Sequence, residues 1–224
     1  MNYSLTRKLI LKDWYLQRWL IVGSFLGGLG ALGIVCLGGQ LAFMIGLILF
    51  VTVLVAAGAQ LSVACIVNER KDQTLPFLFS LPISFREYTA SKLAGILSIF
   101  FLLWACLFGG VCLLFAIPHG IPHGLFPFAL IMATEILLNS FLVTTVALVT
   151  ESQKWAISAV MVGNVALNVI GIGVFQLPGI ARGFHGTQLM WSGAASAVLA
   201  TELALILLLV LGCVFLQSRK KDFL

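Results

Sequence analysis

Charge is what this chain has least of. Its 224 residues include 13 lysines and arginines and 8 aspartates and glutamates, 9% of the total, against 61% hydrophobic side chains. A soluble domain of this size needs a polar shell that so few charges cannot supply, so lipid must take the place of water. Alternating apolar and polar stretches are missing as well. The apolar runs are long and unbroken, which excludes a barrel and leaves helices, because backbone groups in hydrocarbon must pair within a helix or a closed barrel. No CxxC or ligand-like cysteine spacing occurs. Cys36, Cys65, Cys106, Cys112 and Cys213 lie inside apolar runs and read as small buried hydrophobes. The first apolar run has no A-x-A site after it, so it reads as an uncleaved span and not as a secretory signal.

What is present divides into a basic preface and six runs. Met1 to Arg18 mixes Arg7, Lys8, Lys12 and Arg18 with Leu5, Leu9, Trp14 and Tyr15, an amphipathic segment suited to lying on an anionic leaflet. Spans follow at 19–37, 41–67, 93–117, 126–150, 155–176 and 191–216, each near or above the roughly 20 residues a crossing needs. The expected fold is therefore an all-α polytopic membrane protein, residues 1–224 forming a single transmembrane domain. With the N-terminus in the cytoplasm, 12 of the 13 basic residues fall on the inner side and only Arg182 on the outer, the bias that orients membrane proteins. An odd span number would put the Arg219-Lys220-Lys221 tail outside, so the even count is favoured and both termini are expected in the cytoplasm. His119, His123 and His185 all fall in outer connections. The tandem Ile117-Pro118-His119-Gly120 and Ile121-Pro122-His123-Gly124 reads as an outer turn, since two histidines there make an incomplete metal site.

Residues 68–92 form the longest inner connection. Thr74 can cap a short helix with Pro76 in its first turn; Leu75, Leu78 and Phe79 share a face, and Pro82 stops it. Ser84 and Glu87 then have capping-box spacing for the helix that enters span three. The short helix would lie crosswise under the membrane. Its apolar face calls for either lipid headgroups or a protein partner.

The run of charges, Thr74-Leu75, the apolar turn, Leu81-Pro82-Ile83-Ser84 and Lys92 resembles the loop between the second and third spans of type-2 ATP-binding cassette (ABC) permeases, with Gln73 where that family usually has glycine. The six-span order and the amphipathic N-terminal segment extend the resemblance along the chain. The resemblance implies a half-transporter: two permease chains, identical or related, and two cytoplasmic ATPase chains, in the cell inner membrane and exporting an amphipathic molecule such as a peptide, lipid or drug. It implies that the loop is a coupling helix, with Glu69, Thr74, Leu75, Phe77, Leu78, Phe79 and Leu81 meeting the ATPase. No G-x-x-x-x-G-K-[ST] loop occurs here, so this chain is expected to hold no cofactor, with ATP and Mg on the partner.

Two other classes are weighed against transport. An intramembrane hydrolase would need a paired acid and base or a metal at one depth, and neither H-E-x-x-H nor G-x-S-x-G occurs. A membrane scaffold or immunity protein would explain the spans but not a coupling segment. Glu135 and Glu202 lie near mid-bilayer, where a carboxylate must face protein or water, or be protonated. Spans four and five are joined only by Glu151-Ser152-Gln153-Lys154, so residue numbers summing to about 303 should lie level in an antiparallel hairpin. That pairs Glu135 with Asn168 and Asn139 with Asn164 in depth, as two polar rungs that bond across the hairpin or line a substrate path. Gly23 and Gly27, at GxxxG spacing in span one, are the candidate dimer contact.

Overall fold

The computed structural model describes residues 3–71, 85–117, 121–181 and 191–219. Six helices among them are long and apolar enough to cross a membrane. The chain is an all-α, multi-pass membrane protein. In order, α1 is Tyr3–Leu16, α2 Arg18–Cys36, α3 Gln40–Ser62, α4 Asn68–Lys71, α5 Phe85–Ala116, α6 Phe126–Thr150, α7 Gln153–Gln176, α8 Pro178–Ala181 and α9 Gly193–Arg219. The spans are α2, α3, α5, α6, α7 and α9. The end of the bundle that holds α1, Lys154 and Arg219 is called the basic face below, and the opposite end the far face.

Sequence explains where the helices turn. Gly38 and Gly39 take φ of 78° and 86°, a left-handed conformation that costs glycine little and lets α3 fold straight back on α2. Glu151 caps α6 in the left-handed region (φ 50°), its N–H donating to the Ala147 carbonyl, and Ser152 begins the return.

α6 is the centre of the bundle. Its apolar window is 61% buried, whereas no other span exceeds 28%, and it packs against α3, α5, α7 and α9. Small and polar residues suit it to this place: Ala133, Thr134, Asn139, Ser140, Thr144 and Ala147 are all buried, and small side chains let helices approach closely where lipid gives no hydrophobic drive. Gly58 of α3 sits at one such approach, where a Cβ would lie 2.9 Å from Ser140 Oγ and 3.1 Å from the Phe100 ring. Below it, the Ser62 and Thr144 hydroxyls bond at 2.9 Å.

Three expectations need correction. Cys36 and Cys106 are exposed, and only Cys65 and Cys213 are buried outright; in a chain whose solvent is lipid, an apolar run has an outer face too. The third membrane helix starts at Phe85, where the Ser84 and Glu87 spacing puts a helix start, but Lys92, expected to open the span, stands two turns inside that helix. The N-terminal segment does more than rest on a leaflet, because α1 packs along the start of α5 and buries Leu9 and Asp13.

Candidate functional site

Where α1, α4 and α5 meet at the basic face, four charged side chains are drawn into one network. Lys92 is its centre and is completely buried. Its ammonium group donates to Asp13 Oδ1 at 2.9 Å and Oδ2 at 3.0 Å and pairs with Glu69 Oε1 at 2.7 Å. Lys12 donates to the same Glu69 oxygen at 2.6 Å, and the Tyr88 hydroxyl donates to Glu69 Oε2 at 3.3 Å. The four charges cancel. A buried ion needs this compensation, because desolvation costs several kcal/mol per charge. Burial alone would raise the Glu69 carboxyl, but the Lys92 and Lys12 ammonium groups outweigh it and hold it below the usual carboxylate range. For Asp13, burial pushes the carboxyl up against the pull of Lys92.

Local structure positions each member. Five residues, Val63–Val67, form a π-helical turn between α3 and α4. Such a turn inserts an extra residue and rotates all that follows, and Glu69 comes two residues after it. On α1, Asp13 lies one turn from Leu9 on the buried face, and Gly95 of α5 admits it closely, the position of a Cβ there being 3.4 Å from Asp13 Oδ2. Trp14 adds a bond from Nε1 to Ser98 Oγ at 3.2 Å. The network therefore ties the two ends of the 68–92 connection to each other and to α1. Thr74, Leu75, Phe77, Leu78, Phe79 and Leu81 themselves lie outside the described residues.

A second feature is a lipid-facing groove between α3 and α7. Two stretches of about 560 Å³ and 520 Å³ share Ala59 and Val160 and so run on from one another. Apolar side chains such as Val51, Val55 and Met161 form most of the walls, but Thr52, Gln60, Asn68, Asn164 and Asn168 also line it, and all five are exposed. Hydrocarbon offers these groups no partners. Local bonds relieve two of them: Thr52 Oγ1 donates to the Ile48 carbonyl, and Asn168 Nδ2 to the Asn164 carbonyl at 2.8 Å. A groove of this kind can hold an elongated amphipathic molecule along the membrane normal.

The polar stripe expected across α6 and α7 is divided. Its depth register matches the structure, since a Cβ on Gly163 would fall on the Asn139 amide and one on Gly171 would lie 3.3 Å from Met132, number sums of 302 and 303. The faces differ. α7 turns Ala156, Ala159, Gly163, Leu167 and Val174 inward, and Asn164 and Asn168 each follow a seam residue by one, a rotation of about 100° that carries them into the groove. Glu135 and Asn139 are buried, and Asn139 meets Gly163 of the seam, not Asn164. The cross-hairpin rungs are therefore not formed.

Glu135 is buried on α6, which packs along α9, the helix that carries the other buried glutamate, Glu202. On α2, Gly27 faces Val53 of α3, 3.4 Å from a Cβ position, and Gly23 faces open space. His123 sits in a short 3-10 turn, His123–Leu125, while His119 and His185 lie outside the described residues. No group of three metal-ligating side chains occurs among the described residues.

Sequence reasoning missed Asp13, Tyr88 and the α3 side of the groove. A signal existed for the first, since Asp13 is the one acid in a basic segment and stands four residues from Leu9; Thr52, Gln60 and Asn68 are spaced by eight, which turns an ideal helix by about 80° a step and hides their common face. No protein-family profile, curated protein or solved structure matches this chain.

Proposed function

We propose that this chain is the membrane permease subunit of an ABC exporter, with the basic face and both termini in the cytoplasm of a bacterial cell. Two copies, or one copy and a related chain, would pair, and separate ATPase subunits would dock on residues 74–81. The observation that carries the reading is the buried network of Asp13, Lys92, Glu69 and Lys12. Force applied to the connection reaches α1, α3 and α5 together, because its two ends are tied by charges that are costly to separate. The polar line in the α3–α7 groove supports an amphipathic cargo moving along the bundle and favours Asn164 and Asn168, which line it, over the buried Glu135 and Asn139 as its contacts. A scaffold without transport would have no use for that exposed polar line, which weakens the bundle in lipid.

The test is co-purification with an ATPase encoded beside this chain. Leu78→Asp places an unpaired charge on the docking face and should abolish the complex while membrane insertion persists; recovery of the complex at the wild-type yield would sink the proposal. Orientation has its own check. In a cysteine-free background, His119→Cys and Gly186→Cys should react with an impermeant thiol reagent in intact cells and Gln73→Cys should not; labelling of Gln73→Cys would turn the chain over.

A further inference from the structure

We propose that Glu135 and Glu202 form a proton-binding site inside the membrane, whose bound proton joins α6 to α9.

Register brings the two together. α6 and α9 both run from the far face to the basic face, and near the basic end Gln217 Nε2 donates to the Leu148 carbonyl. Glu135 precedes Leu148 by thirteen residues and Glu202 precedes Gln217 by fifteen, a mismatch in depth of only about 3 Å at 1.5 Å per residue. Toward the far face, Ile131 and Ala195 belong to one apolar cluster, so the glutamates lie between two places where these packed helices approach each other.

Neither carboxyl has what an ion in hydrocarbon needs. Glu135 is 2% and Glu202 3% exposed. Both Glu202 oxygens and Glu135 Oε2 lack a hydrogen-bond partner. Nor is a counter-charge available: from Leu93 to Thr150, from Trp155 to Ala181 and from Trp191 to Gln217 these are the only acidic residues, and lysine and arginine are absent. α3, which packs on the opposite side of α6, has no charged residue from Gln40 to Val67. Within these stretches the other titratable groups are cysteines and the histidines His119 and His123 before α6, and Cys213 of α9 stands three turns from Glu202; Lys92, Tyr88 and Lys154 lie at the basic ends of α5 and α7.

Two carboxylates in this position would repel across a medium that screens little. One proton reverses the sign, because the protonated carboxyl becomes a donor to the other's unpartnered oxygen; a second proton leaves the pair uncharged. A metal ion would want more oxygen ligands than two side chains supply, whereas a proton needs only the pair. The site stands apart from the permease reading, since it requires no ATPase and no cargo.

Infrared spectroscopy of the full chain in lipid nanodiscs tests it directly. At neutral pH the wild type should show the carbonyl band of a protonated carboxylic acid. Uniform 13C-glutamate labelling should shift that band, which separates it from any contribution of Asp13. Glu135→Gln and Glu202→Gln should each diminish it, and the double variant should lose it. Raising the pH should bleach it, and sodium or potassium at fixed pH should not. The labelling experiment holds even if the variants fail to fold. Absence of a glutamic acid band at neutral pH, a band untouched in a folded double variant, or bleaching by sodium or potassium at fixed pH would each overturn the proposal.

Discussion

Lys92→Met should remove about 3–5 kcal/mol of folding free energy, the loss expected when one partner of a buried ion pair is deleted and the other is left behind. Lys12 still neutralises Glu69 in this variant, so the stranded charge is Asp13, which is 2% exposed and loses both of its bonds to Lys92. Folded domains have only about 5–15 kcal/mol to lose. The variant should therefore express poorly, and its detergent-purified form should unfold at much lower temperature or denaturant concentration. Adding Asp13→Leu converts the pair to an apolar contact of similar volume and should recover most of the loss, since replacing a buried pair outright is often neutral. A single variant as stable as wild type, or a double variant no better than the single, would show that the network contributes little.

This network also marks where the sequence stops being legible. The six spans could be read directly, because each is a run of twenty or more apolar residues whose meaning does not depend on any other part of the chain. The ion network depends on three segments at once. Asp13, Glu69 and Lys92 lie 56 and 23 residues apart, and nothing local says that Lys92, two turns into its helix, turns inward, while Lys154, in the first turn of another, stays exposed. The π-helical turn at Val63–Val67 is equally silent, since VACIV reads as ordinary apolar helix. Even so, the identity of the charges carried a hint: an acid on the apolar stripe of α1 has to be paired.

The carboxyl pair shows a different limit. Depth could be calculated from helix rise, and both glutamates were expected near mid-bilayer on that ground. Their neighbours could not, because depth along a helix leaves open which way a residue points. Asn164 and Asn168 show the same: they are level with Asn139 and Glu135 to within a residue, yet line the groove on α7's outer side.

Gly163→Ala should be the most disruptive single-methyl change in the α6–α7 hairpin. The added Cβ would lie 1.8 Å from Asn139 Oδ1 and 2.6 Å from its Cγ, far inside contact distance. Asn139 is 4% exposed, so its amide cannot swing into solvent, and the helices must part or the side chain must leave its rotamer. Overpacking of this kind costs about 1–3 kcal/mol, occasionally more, and the upper end is expected because Ala147 and Ala156, both 0% exposed, leave little slack nearer the turn. Asn139→Ala alone should cost much less. Its Oδ1 has no hydrogen-bond partner, so truncation removes a buried acceptor that stabilises nothing. In the double variant the two methyl groups fit where one amide stood against a glycine. Its stability should return to within about 1 kcal/mol of wild type, giving a double-mutant coupling energy of about 1–3 kcal/mol between residues in direct contact. Unfolding free energies of the four proteins in mixed micelles measure this. Simple additivity of the two single losses would mean that Gly163 and Asn139 are not opposed, and the register of the hairpin would then differ from a turn centred between Glu151 and Ser152.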